Sequence, residues 1–314
     1  MRDQDGNERH GGLSEREPGV LKDAVLIAGP TASGKSLRAM DIAEAAGGII
    51  VNADSMQVYD VLRVITARPS VEDEARVRHR LFGHVSPAIA YSVAQWLADV
   101  AALLGSPDAA GRKTVFVGGT GLYFRALTEG LSHMPEIPAE IRMKWRQALL
   151  EDGAEALHRQ LEARDARAAE RLRPNDGQRI VRALEVVEAS GRSILDWQGD
   201  RSVPLVDAQS ATRIVLTPER EFLRRNIDRR FDQMVDAGAL GEVRTVLTLD
   251  LPPTLPAMKA IGVPELADHL HGKVSLDEAI ARAKAATRQY AKRQDTWFRN
   301  QLGPEWQRVP LAVD

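Results

Sequence analysis

Residues Gly29 to Ser36 read GPTASGKS, the spacing G-x-x-x-x-G-K-S. Successive backbone N–H groups can turn inward around phosphate oxygens only where a loop is short and partly glycine, and Gly29 and Gly34 supply that freedom. With Pro30, Thr31, Ala32 and Ser33 completing the cradle, Lys35 would set a cation between phosphoryl groups. Ser36 would offer its hydroxyl to Mg²⁺, and a helix opening here would aim its positive end at the same anion.

A nucleotide hydrolase built on such a loop also needs a carboxylate at the end of an apolar strand, to organise Mg²⁺ and the attacking water. The candidate strand TVFVGG ends instead in Gly118-Gly119-Thr120. The available acid is Asp54 in VNADSMQVY. A carboxylate facing a diphosphate cradle suits a reaction in which one group is deprotonated while diphosphate or a phosphoryl group leaves, with Asp54 as the base. Taken alone, Asp54 is equally readable as a structural cap or a metal-organising residue. The Thr120 hydroxyl either orients the nucleophile or closes a turn among glycines.

These residues need strands to hold them. From Ala24 to about Gly130, short apolar runs (AVLIAG, GIIVNA, KTVFVGG) alternate with helical stretches (SLRAMDIAEAA, SVAQWLADVAALLG, GLYFRALTEG). That alternation predicts an α/β fold, a P-loop-type parallel sheet flanked by helices, whose sites gather at the carboxyl ends of the strands. Residues 131–199 carry no strand signal and read as an inserted all-helical subdomain. Within it a helix capped by Asn175 or Asp176 and ended by Gly191 has an apolar stripe of Ile180, Leu184 and Val187, leaving Arg179 and Arg182 off the stripe. The strand ATRIVLTP returns the chain to the core, which is expected over 23–130 and 200–314. A long final helix opens with a capping box, Ser275 to Glu278. It turns Leu276, Ile280, Ala283, Thr287, Tyr290 and Trp297 inward and presents Lys284, Arg288, Lys292 and Arg299 on a basic face.

Composition narrows the classes. The chain has 314 residues, 44% of them apolar and 27% charged, and no run long enough to span a bilayer, so no membrane partner is expected. Residues 1–22 read as a disordered lead-in without the apolar core of a secretory signal. The absence of cysteine excludes disulfides, Cys-ligated zinc and thiol chemistry, and fits a cytoplasmic location. A net charge of −2 requires any nucleic acid to be held by a local basic surface. No long heptad seam points to a coiled-coil dimer, and a monomer is expected.

Taken together, GPTASGKS, ADSMQVY, TARP, HRLFGHVSP, YSVAQW, VGGTGLYFRAL, RPNDGQRIVRALEV and ATRQYAKRQDTWFR resemble the bacterial tRNA dimethylallyltransferases, over a span from about Ala24 to Arg299. The resemblance implies that the phosphates belong to dimethylallyl diphosphate, that the acceptor is N6 of the adenosine just 3′ of the anticodon in a tRNA anticodon stem-loop, and that Mg²⁺ is the cofactor. It implies Asp54 as base, Thr120 as the residue holding the amine, Lys35, the loop amides and Arg288 on the departing diphosphate, and Ser36 on the metal. It further implies tRNA contacts at Asp54, Ser55, Met56, Gln57, Thr120, Arg142, Gln178, Arg179, Ile180, Val181, Arg182, Lys259, Gly262, Lys292, Arg293, Gln294 and Arg299. Ile65 stands where the family usually has glycine, and Val263 where an aromatic residue is common. The first is expected to alter a turn, the second to weaken a nucleic-acid contact. The zinc finger of eukaryotic relatives is absent. A P-loop kinase of small molecules or nucleosides shares the loop, the strand-end acid and the insertion, but no arginine-bearing lid is evident. A nucleotide-gated RNA-binding module without chemistry is the alternative from a different class.

Overall fold

A computed structural model describes residues 19–311. The expected lead-in lies outside them as far as residue 18; beyond it, Leu21 is ordered and bridges in parallel to Val206.

Six parallel strands form one sheet: β1 (Val25–Ala28), β2 (Ile49–Asn52), β3 (Arg78–Arg80), β4 (Thr114–Gly118), β5 (Thr212–Pro218) and β6 (Gln307–Leu311), in the order β3-β2-β4-β1-β5-β6. Every residue of β1, β2 and β4 is buried. Helices cover both faces of such a sheet, which is why its inner strands are apolar runs without alternation. The edge strands were not evident in the sequence: RHR has no apolar residue, and QRVPL carries a proline that only an edge tolerates.

Helices α1 (Lys35–Ala45), α2 (Val71–Arg76), α3 (Val93–Leu104) and α4 (Gly121–Glu129) accompany the first four strands. Ser92 and Gln95 close a reciprocal capping box at the start of α3. The chain then leaves the sheet for α5 (Ala139–Arg164), α6 (Ala166–Glu170), α7 (Gly177–Ser190) and α8 (Ile194–Trp197). These four pack around their own core, in which Trp145, Leu157, Leu161, Ile180 and Leu184 are buried. Gly153, at φ 79°, breaks α5 into two segments. Asp176 caps α7, and Gly191 ends it in the left-handed region.

After β5 come α9 (Arg220–Asp236), α10 (Ala239–Leu247), α11 (Val263–Leu270) and α12 (Leu276–Gln301). They enclose a further apolar cluster with the segment after β2, in which Tyr59, Leu62, Ile65, Phe231, Val263 and Ala283 are buried. Ser275 caps α12 by accepting from the Glu278 N–H, but only half of the expected box forms: the Glu278 carboxylate pairs with Arg282. Among the described residues no helix is long and apolar enough to cross a membrane.

Candidate active site

Because β2, β4 and β1 are neighbours, their carboxyl ends bring the three predicted loops together. The β2 and β4 loops touch so closely that glycine is required at Gly118, where a Cβ would lie 1.9 Å from the Ala53 carbonyl oxygen; one on Gly119 would lie 2.2 Å from Gln294 Nε2 of α12. Gln294, on α12, is buried and braces two loops at once. Its Oε1 accepts from Thr31 N–H at 2.9 Å, and its Nε2 donates to the Gly119 carbonyl at 2.9 Å.

Asp54 is fixed by its neighbours. Fully buried Asn52 accepts from the Asp54 N–H at 2.8 Å and donates to the Asp54 and Leu81 carbonyls. Met56 N–H donates to Asp54 Oδ1 at 3.0 Å, and Asp54 lines the cavity. Of the two roles read for Thr120, its hydrogen bonds are those of a residue that closes a turn. It accepts from Ser55 N–H at 2.9 Å and donates to Ser55 Oγ at 3.2 Å, locking the turn beside Asp54, and it does not line the Asp54 cavity.

That cavity, about 340 Å³, has polar lining residues that include Thr31, Asp54, Ser55, Arg230, Tyr290 and Arg293. Its apolar wall includes Met56, Ile65, Ile227, Phe231, Met234 and Ile261. A second pocket of about 260 Å³ holds Ser33, Gly34, Lys35 and Ser36 with Asn226, Arg229, Arg230 and Gln233. Gly34 takes φ 80° to start α1 there. Ala32 and Arg230 line both spaces.

Arg230 is therefore the guanidinium standing between the phosphate loop and Asp54, and sequence reading missed it. Nothing in EREFLRRNIDRRFDQMVDAG separates it from the four other arginines of α9; only its turn of the helix does. Arg288, given the departing diphosphate by resemblance, is paired with Asp228 and lines a groove with Pro30 of the phosphate loop, outside the Asp54 cavity. The cause is helical phase: Thr287 and Tyr290 line the Asp54 cavity, and residue 288 is rotated about 100° away from Thr287.

Burial pushes the Lys35 ammonium down to about 8, opposed by the Asp54 carboxylate and reinforced by Arg230. Its Nζ donates to the Pro30 carbonyl at 3.2 Å. Arg230 is likewise lowered, by burial against the pull of Asp54. The Tyr290 phenol is raised, first by burial and then by Asp54. The site thus contains cations destabilised for want of an anion.

The IPP transferase family model matches residues 57–301, and an isopentenyl transferase model matches residues 22–84. The chain belongs to the IPP transferase family. It is 60% identical over 292 residues to a tRNA dimethylallyltransferase of Chelativorans sp., covering 93% of this chain and all of that one. Against a tRNA dimethylallyltransferase of Mesorhizobium japonicum the identity is 61%, over 94% of this chain and 92% of the relative. Among solved structures, a tRNA isopentenylpyrophosphate transferase of Bacillus halodurans superposes with a TM-score of 0.66 at 32% identity, covering 94% and 92% of the two chains. A eukaryotic dimethylallyltransferase acting on tRNA gives 0.76 at 25% identity, covering 93% of this chain and 74% of that one.

Most of the residues assigned to tRNA by resemblance line a cavity or lie on the surface. Asp54, Ser55, Met56, Lys259 and Arg293 line the central cavity. Arg179 of the insertion meets Lys292 and Arg293 of α12 across a groove of about 520 Å³, so one wall comes from each body. Gln178 and Arg142 are exposed on the insertion, Arg182 pairs with Glu185, and Arg299 with Asp295. Three others are buried: Ile180 and Val181 belong to the core of the insertion, and Gln294 makes its two braces. Gln57 spends its amide on the Thr66 and Ala67 carbonyls, and the Gly262 N–H donates to Glu265.

The two departures from the family pattern are also placed. Val64 and Ile65 N–H groups donate to the Glu242 carboxylate at 2.6 and 2.9 Å, so the turn is tied down despite the isoleucine. The Ile65 side chain lies against Gly262, and Val263 is 1% exposed in the same cluster, so Val263 faces core rather than RNA.

Proposed function

We propose that this chain transfers the dimethylallyl group of dimethylallyl diphosphate to N6 of the adenosine immediately 3′ of the anticodon, in tRNAs that read codons beginning with U. The observation that carries the reading is the single carboxylate, Asp54, facing Arg230 across a cavity that joins the phosphate loop. The N6 lone pair attacks the allylic carbon, the carbon–oxygen bond to diphosphate breaks, and the N6 proton passes to Asp54. An aromatic exocyclic amine is a poor nucleophile because its lone pair is delocalised, so departure of diphosphate carries most of the barrier. Lys35, Arg230 and the loop amides are preorganised donors for that developing charge, each worth roughly 10²–10³ in turnover. The apolar wall suits the five-carbon tail.

The Ser36 hydroxyl lines the phosphate pocket, whose lining contains no carboxylate. It would serve as one hard-oxygen ligand to Mg²⁺, and the ion would supply Lewis-acid stabilisation of the leaving group. The adenosine leaves its stack to reach Asp54, at a cost of a few kcal/mol that contacts to neighbouring nucleotides offset. Arg179, Lys292 and Arg293 flank that approach.

Donor dependence tests the reading against a kinase. Prenyl transfer to tRNA should require dimethylallyl diphosphate and proceed without ATP. ATP-dependent phosphorylation with no prenyl donor would replace the transferase by a kinase.

A further inference from the structure

A third concavity, about 520 Å³, lies between α9 and α12 over Pro30 and Pro218, where β1 and β5 end. Five cations line it: Arg220 and Arg224 from α9, and Arg288, Lys292 and Arg299 from α12. Two are neutralised, Arg288 by Asp228 and Arg299 by Asp295. Arg220, Arg224 and Lys292 form no salt bridge among the described residues. In a chain of net charge −2 that is a local excess, one that polyanion binding would relieve.

The groove shares no lining residue with the phosphate pocket and meets the phosphate loop at Pro30 and the Asp54 cavity at Ile227, while Arg220 and Arg224 line neither of those spaces. It does share Lys292 and Gln289 with the groove that holds Arg179 and Arg293, and Arg293 also lines the Asp54 cavity. A line of cations therefore leaves the Asp54 cavity at Arg293, crosses the ridge of α12 at Lys292 and descends to Arg220 and Arg224. Arg220 and Arg224 are one helical turn apart, about 6 Å at about 1.5 Å per residue, an interval over which a nucleic-acid backbone presents successive phosphates.

We propose that this groove is a phosphate track for tRNA, with Arg220 and Arg224 binding backbone phosphates beyond the nucleotides that reach the Asp54 cavity. The proposal rests on tRNA being the substrate and extends its footprint across α12.

The test uses the full chain and unmodified tRNA, with binding followed by fluorescence anisotropy from about 50 to about 200 mM salt. The Arg220→Ala/Arg224→Ala double variant should bind tRNA about tenfold more weakly at the low-salt end. Its log–log salt slope should be shallower by about 1.5, at about 0.7–0.9 per phosphate lost. The Arg220→Lys/Arg224→Lys variant should keep the wild-type slope, and dimethylallyl diphosphate binding without tRNA should be unchanged in both. Both positions are exposed, so circular dichroism should match wild type. An unchanged slope and affinity in the alanine variant would overturn the proposal, as would weakened donor binding with tRNA binding intact. If wild type prenylates tRNA and the alanine variant binds it equally well, only the groove assignment fails; if wild type neither binds nor prenylates tRNA, the transferase reading itself fails.

Discussion

Asp54 and Arg230 share one cavity but were not equally visible in the sequence. Asp54 announces itself because an acid directly after an apolar strand sits where parallel sheets collect their ligands. Arg230 sits in a helix with five arginines, and only the phase of α9 against the loop distinguishes it. Replacing Arg230 by Ala should lower kcat by roughly 10²–10³ with a smaller effect on tRNA affinity, measured by steady-state kinetics beside direct binding. Equal kcat would remove it from the leaving-group site. Lys35 gives a pH prediction. Its ammonium loses its proton as pH rises through about 8 in the free protein, and bound diphosphate restores the proton by raising that value. Below about pH 8 Lys35 is charged in both the free and the bound protein, so its ionisation should make no contribution to the pH dependence of dimethylallyl diphosphate binding without tRNA. Above it, binding should weaken by up to about tenfold per pH unit while taking up a proton. Calorimetry in buffers of different ionisation enthalpy reads this directly, and proton release on binding would contradict it.

Elements place these residues through a few braces that sequence patterns do not encode. The inner strands and major helices were legible because burial demands apolar runs and helical periodicity. The edges β3 and β6 were not, since an edge strand can be short and polar. Gln294 was given to tRNA by resemblance, along with Lys292 and Arg293, and α12 turns it into the core to join Thr31 and Gly119. Gln294→Ala would leave a donor and an acceptor unpaired, at about 1–3 kcal/mol each. The expected outcome is a Tm lower by several degrees together with a reduced kcat, because the phosphate loop and the Gly119 loop lose their common tether. A loss confined to tRNA affinity, with Tm and kcat intact, would favour a direct RNA contact instead.

At the scale of the molecule, two bodies with separate cores meet along α12: the sheet domain supplies the phosphate loop and Asp54, and the helical insertion brings Arg179 to the same helix. The run of helices without a strand between α4 and β5 was readable from the loss of strand signal after Leu131. The grooves on either flank of α12 were not, because they depend on how two bodies sit together. The central claim is that this arrangement moves a prenyl group onto tRNA with Asp54 as the base. Mass spectrometry of nucleosides from tRNA incubated with the protein, Mg²⁺ and dimethylallyl diphosphate tests it most directly. Wild type should yield N6-dimethylallyl adenosine in tRNAs reading codons that begin with U, and Asp54→Ala should yield none while still binding tRNA. Unmodified tRNA from folded wild-type protein, or near-normal product from Asp54→Ala, would contradict the account.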